Sequence, residues 1–267
     1  MPEIVTSDGV RLWASDDGYG PSVVLVAGYT APAASWAFQI DALTAAGHRA
    51  IGLDRRSHGR SEAPWYGHRM ARHGKDLHDA LTQLDVGPVV LVGGSMGASA
   101  IWAYVDLFGT DGVRGIVSVD QTPKMINTED WPYGFYGLTP DTSGTFFAAG
   151  VPRTGRGRTV DPDSPALQRL VQRVGVEGLP GRPRPETLPL LRDHAQQDWR
   201  DVIARVDVPV LMVAGRQSQY WPCEHAEAAV RDTGQGRAAV VEDSGHAVNF
   251  DQPDEFDRLL LDFLGEL

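Results

Sequence analysis

The chain has a single cysteine, Cys223, and only two lysines, Lys75 and Lys124, among its 267 residues. One thiol excludes an internal disulfide, and no Cys/His spacing resembles a zinc site, so no metal is expected. A lone cysteine is compatible with a reducing compartment, and the expected location is cytoplasmic. The scarcity of lysine belongs to an acidic balance of 24 basic against 35 acidic side chains, a formal net charge of −11. Nucleic-acid binding needs Lys and Arg gathered into a stripe and is excluded as the main activity. Long apolar runs are also missing, since the apolar stretches fall far short of the roughly 20 residues that cross a bilayer. The start, Met1 to Gly9, has neither the basic nor the apolar part of a secretory signal. The expectation is a soluble protein with no membrane partner, and the start of the chain supports no targeting assignment. What the chain does have is 42% hydrophobic and 22% charged residues, enough to bury a substantial core. Its length suits one large domain, or one domain carrying an insertion.

Short β-branched runs at Val23–Val26, Val89–Val92, Ile116–Val119, Val210–Val213 and Ala238–Val241 read as buried strands, with Ala50–Leu53 as a further one. Between them lie segments with helical apolar spacing: Ser35 to Ala46, Lys75 to Leu84 and Ser95 to Phe108. Strands alternating with helices predict a mostly parallel sheet flanked by helices, whose sites form where strands end and loops begin. From 124 to 198 the alternation lapses into aromatics and then Gly, Pro and Arg, with a short helical piece around Ala166 to Val174. This is read as an insertion between two parts of one core, 1–123 and 199–267. The chain closes with an amphipathic helix from about Pro253 to Leu264.

After the run Val89–Val92 comes Gly93-Gly94-Ser95-Met96-Gly97 and then a helix, which is G-x-S-x-G in its strand-turn-helix setting. Such a turn pushes the Ser95 hydroxyl out at the sheet edge, and the helix start behind it favours negative charge. A serine hydroxyl needs a base. Ser244-Gly245-His246-Ala247, after the last apolar run and before the final helix, supplies His246 at the same edge. The other histidines, His48, His58, His68, His73, His78, His194 and His225, lack this placement and read as surface or structural. The strand Val23–Val26 ends in Ala27-Gly28-Tyr29-Thr30, so the backbone N–H groups of Tyr29 and Met96 are candidates to meet a developing oxyanion.

Ala27-Gly28-Tyr29, Asp54-Arg55-Arg56-Ser57-His58-Gly59-Arg60-Ser61, Gly93 to Gly97 and Gly245-His246 together resemble the α/β-hydrolase superfamily, closest to small bacterial serine esterases and cofactor-free haloperoxidase-like hydrolases. The resemblance covers nearly the whole chain outside the insertion. It implies the α/β-hydrolase fold with residues 124–198 as a cap after strand six, Ser95 as nucleophile, His246 as base, Tyr29 and Met96 as oxyanion donors, and the Asp54 to Ser61 stretch as a structural turn. Two departures stand out. Ala27 takes the place of the usual histidine of the oxyanion loop, which leaves a backbone donor unaffected. The usual triad acid follows strand seven in a Gly-x-x-Asp turn, whereas this sequence reads Gly215-Arg216-Gln217-Ser218, and Ser218 cannot hold a negative charge beside an imidazolium. An acid follows strand six in some branches, and Asp120 stands there; Glu242 and Asp243 remain as alternatives.

Trp131, Tyr133, Phe135, Tyr136, Phe146 and Phe147 of the insertion, with Trp36 from the oxyanion side, are expected to line the pocket and to favour a small-molecule substrate with an apolar acyl or aryl part. Cys223 reads as a small buried hydrophobe. The expected activity is hydrolysis of a carboxylic ester or lactone through an acyl-enzyme, with no metal or organic cofactor. The same constellation supports carbon–carbon bond hydrolysis or perhydrolysis, and a ligand-binding protein with a vestigial triad is a further alternative that the intact Ser95 and His246 argue against. Dehalogenases and epoxide hydrolases of this superfamily need a carboxylate where Ser95 stands.

Overall fold

A computed structural model describes residues 4–267. Its strands are β1 (Ile4–Val5), β2 (Arg11–Ala14), β3 (Ser22–Val26), β4 (Arg49–Asp54), β5 (Val89–Gly94), β6 (Val113–Val119), β7 (Val210–Gly215) and β8 (Gly236–Val241). They form one sheet in the order β1-β2-β4-β3-β5-β6-β7-β8, antiparallel over β1, β2 and β4 and parallel from β4 onward. The helices are α1 (Ala37–Ala45), α2 (Met70–Gln83), α3 (Met96–Phe108), α4 (Pro165–Val174), α5 (Leu188–Ala195), α6 (Arg200–Ala204), α7 (His225–Val230), α8 (Val248–Asp251) and α9 (Pro253–Gly265).

The β-branched runs behave as strands covered on both faces, and their side chains part with a period of two. Val24, Val26, Leu91 and Met212 join one core cluster, whereas Val23, Leu25, Val90, Val92 and Val213 join the cluster on the opposite face. β8 differs from the expected buried strand: as the last strand in the order it is only partly covered, and Val241 alone is buried. The antiparallel edge β1–β2 was not foreseen, because these strands are short and polar on one side. α7 was missed as well, since its six residues carry no long apolar period. α2 begins at Met70 rather than Lys75, and its Gly74 lets it lie against α3, where a Cβ would come 2.7 Å from the Ala103 and Tyr104 backbone.

Register brings distant residues to one edge. Val26 pairs with Gly93, Gly94 with Val119, Val119 with Val213 and Gly215 with Val241, so β3, β5, β6, β7 and β8 end side by side. The residues directly after those ends are the ones the sequence singled out. Residues 120–209, the connection from β6 to β7, carry α4, α5 and α6. Among the described residues no helix is long and apolar enough to cross a membrane.

Candidate active site

Ser95 follows β5 with φ 50° and ψ −129°, and Asp120 follows β6 with φ 43°. Both lie in the left-handed region that non-glycine residues avoid, and such strain persists where the surroundings enforce it. At Ser95 the enforcement is close packing. A Cβ on Gly97 would run into the Val26 carbonyl, and one on Gly93 would lie 2.5 Å from the Ala98 backbone. A Cβ on Gly28 would approach the Ser95 Cβ at 3.0 Å, so glycine lets the Ala27–Tyr29 loop pass directly beside the hydroxyl. That loop is fastened from behind by the buried Arg55, which donates to the carbonyls of Ala27 at 3.0 Å and Gly28 at 2.8 Å. The expected structural turn supplies this clamp. Asp54 accepts from the N–H groups of Ala33 (2.6 Å) and Arg60 (2.8 Å), closing the turn that presents Arg55. Among the described residues neither the Tyr29 nor the Met96 N–H donates to another protein group, so both are free to meet an anion at Ser95.

His246 and Asp120 meet as well: the imidazole Nδ1 lies 2.6 Å from Asp120 Oδ2. Asp120 is fully buried. The same Oδ2 accepts from the Ser218 hydroxyl at 2.6 Å, and Oδ1 accepts the Gly215 N–H at 3.0 Å. Burial alone would push this carboxyl up, but the imidazoles of His225 and His246 and the bonds it accepts outweigh that, holding its pKa at about 2. Ser218, standing where the strand-seven acid was sought, thus braces the acid that follows strand six. Glu242 and Asp243 lie on the exterior, and the Glu242 carboxylate pairs with Arg216 at 2.8 Å.

The strand-seven loop still grips the histidine. Gln219 Oε1 accepts the His246 N–H at 3.1 Å, and the rings of Tyr220 and Trp221 stand edge-on to the imidazole, 4.5 and 5.3 Å away between centroids. His225, also fully buried, places Nε2 3.9 Å from Asp120 Oδ1. None of these four was found in the sequence, because nothing local marks a residue that packs on a histidine from another strand end.

Ser95, Met96, Tyr29 and His246 open on one cavity of about 370 Å³. Trp36, Phe135 and Phe147 line it, together with Met125, Leu191 and Phe250. Trp131, Tyr133, Tyr136 and Phe146 do not, which corrects the expectation of a single aromatic wall. Trp131 is buried with its indole N–H on the Lys124 carbonyl (3.1 Å), Tyr133 packs edge-on against Trp131, Tyr136 lies under Arg156, and Phe146 backs Phe135 and Phe147 from outside. Six aromatics spaced over 17 positions of irregular chain cannot all face one way. Cys223 is buried, as expected.

The sequence pattern of the alpha/beta hydrolase family matches residues 23–259. A non-heme chloroperoxidase, CPO-A1 of Kitasatospora aureofaciens, is 29% identical over the full length of both chains. Among solved structures, an esterase from Exiguobacterium antarcticum superposes with a TM-score of 0.82 at 23% identity, over 98% of each chain. A bromoperoxidase from Bacillus anthracis superposes with a TM-score of 0.79 at 27% identity, over 96% of each chain.

Proposed function

Since this chain belongs to the alpha/beta hydrolase family, we propose that it is a serine hydrolase cleaving a carboxylic ester or lactone through an acyl-enzyme. The observation that carries this reading is the 2.6 Å contact of His246 Nδ1 with the buried, ionised Asp120, the histidine lining the same cavity as Ser95. With Nδ1 donating to the carboxylate, Nε2 carries the lone pair and can take the Ser95 proton. Ser95 Oγ then bonds to the substrate carbonyl carbon, and the oxyanion that forms accepts the N–H groups of Tyr29 and Met96. Collapse breaks the bond to the leaving oxygen, which receives the proton from His246. Water adds to the acyl-enzyme by the same route and releases the acid. Residues 124–198 serve as the cap over this site, and the apolar wall of Trp36, Phe135 and Phe147 receives the acyl or aryl part.

A second reading is perhydrolysis, in which hydrogen peroxide replaces water in the last step and the product is a peracid. It is favoured by a relative in Acinetobacter calcoaceticus, 27% identical over 84% of each chain, whose name is bifunctional esterase/perhydrolase. Assaying purified protein on aryl esters, lactones and diketones, with and without peroxide, separates these readings. Ester or lactone turnover in water supports the first, and turnover confined to diketones would overturn it.

One feature of the pH profile follows from the acid. Asp120, lowered to about 2, keeps its charge throughout the working range, so its ionisation should add no limb to the kcat/KM profile there. A rate that peaks in acid and falls through neutrality would assign the base to a carboxylate instead.

A further inference from the structure

One polar side chain on the cavity wall has no part in the chemistry above. His194, on α5 of the β6–β7 connection, lines the cavity that holds Ser95 and His246, is 4% exposed, and has its Nδ1 without a hydrogen-bond partner among the described residues. A buried polar ring left unpaired is unfavourable, and a substrate oxygen in the cavity that His194 lines can supply the missing partner. The indole N–H groups of Trp36 and Trp221 on the same wall are also unpaired among the described residues, but an indole can only donate, and four further polar side chains there are already engaged. Tyr29 bonds Thr187 (2.8 Å), Ser35 the Pro32 carbonyl (2.7 Å), Gln219 the His246 N–H (3.1 Å) and Asn249 the Ser35 carbonyl (3.1 Å).

The ring is held in place by its helix. Asp193, the preceding residue, accepts the Met70 N–H at 2.7 Å and ties α5 to the start of α2. The imidazole is also neutral, since burial and the neighbouring Arg55 charge push its pKa down to about 3. A neutral imidazole offers one N–H and one lone pair but no charge to offset that of a buried anion, which suits it best to a hydroxyl, carbonyl or ether oxygen. The cation nearby is not available to an acid group either. Arg55 is fastened to the carbonyls of Ala27 and Gly28 and to the ring nitrogens of His58 and His73, each at 3.1 Å.

Building on the serine-hydrolase reading, we propose that His194 is a hydrogen-bonding subsite for an uncharged oxygen substituent of the substrate, so that the preferred substrates are hydroxy- or oxo-substituted esters and lactones. A site built to bond an oxygen rejects the analogue lacking it far more strongly than an apolar wall rejects a missing methylene, because the wall atom stays unpaired.

The test compares matched pairs by acid release in a pH-stat: ethyl butanoate against ethyl 3-hydroxybutanoate and ethyl 3-oxobutanoate, and γ-butyrolactone against its α-hydroxy derivative. The expected wild-type preference for the oxygen-bearing member of at least one pair is about tenfold or more in kcat/KM. His194→Met and His194→Leu, two apolar replacements of similar bulk, should bring that ratio to within about twofold of unity, and His194→Gln should restore part of it. A ratio within each variant cancels any loss common to both substrates, so a merely structural role would not move it. Absence of preference in the wild type, or a preference kept by the folded apolar variants, overturns the assignment. Failure of the parent reading looks different, because the wild type would then hydrolyse no ester or lactone and would not react with a fluorophosphonate; the subsite for such substrates falls with it.

Discussion

Ser95→Ala is expected to lower ester turnover by up to about 10⁶-fold while leaving the melting curve unchanged. The methyl of alanine fills the space of Cβ, and the Ser95 hydroxyl donates to no protein group among the described residues, so little packing is lost. What is lost is the only hydroxyl, among the described residues, placed both at the β5 turn and beside two unpaired N–H groups. His246→Ala should match it to within about an order of magnitude, since members of one catalytic unit fail together. Turnover by purified Ser95→Ala at the wild-type rate would remove Ser95 from the mechanism.

The second large effect is expected of Asp120→Asn, up to about 10⁴-fold in kcat. The Gly215 N–H, 3.0 Å from Oδ1, holds the amide oxygen on its own side and turns the amide nitrogen toward His246. An amide nitrogen only donates, so the imidazole must accept at Nδ1 and carry its proton on Nε2, which disables it as a base. Ser218 offers a rescue that the geometry makes specific. Its Oγ lies 2.6 Å from the same Oδ2 that His246 contacts, so adding Ser218→Asp to Asp120→Asn returns a carboxylate to within reach of Nδ1 and should recover part of the loss. Asp120→Asn with unaltered kinetics and normal melting would reduce Asp120 to a turn residue. The placement of Ser218 against Asp120 also explains how a chain without an acid after strand seven keeps a buried carboxylate beside its histidine.

Much of this arrangement was legible in the sequence because parallel strands in register carry short, local signals to a common edge. Ser95 announced itself through the glycines around it, His246 through its place after the last strand, and Asp120 through the residue type at the end of Ile116–Val119. The burial of Asp120 between Gly215, Ser218 and two histidines depends on three strand ends meeting, which no local pattern encodes. His194 and His225 were read as surface or structural for the same reason: a histidine on a short helix gives no sign of which side the helix buries. His194 is 4% and His225 0% exposed. The aromatics of the β6–β7 connection show the converse. Their composition announced an apolar lining, yet without a regular period nothing in the sequence could separate Phe135 and Phe147, which face the cavity, from Trp131 and Tyr133, which do not.

The central claim, that the Ser95 oxygen is a nucleophile activated by His246 and Asp120, is tested most directly by incubating the wild-type protein with a fluorophosphonate and mapping the adduct by peptide mass spectrometry. Attack of Ser95 Oγ on phosphorus expels fluoride and leaves a stable phosphonyl ester. The account predicts one adduct, on the peptide containing Ser95, absent in Ser95→Ala and formed far more slowly in Asp120→Asn. A folded wild-type protein that takes up no label, or takes it up at a residue other than Ser95, would contradict it.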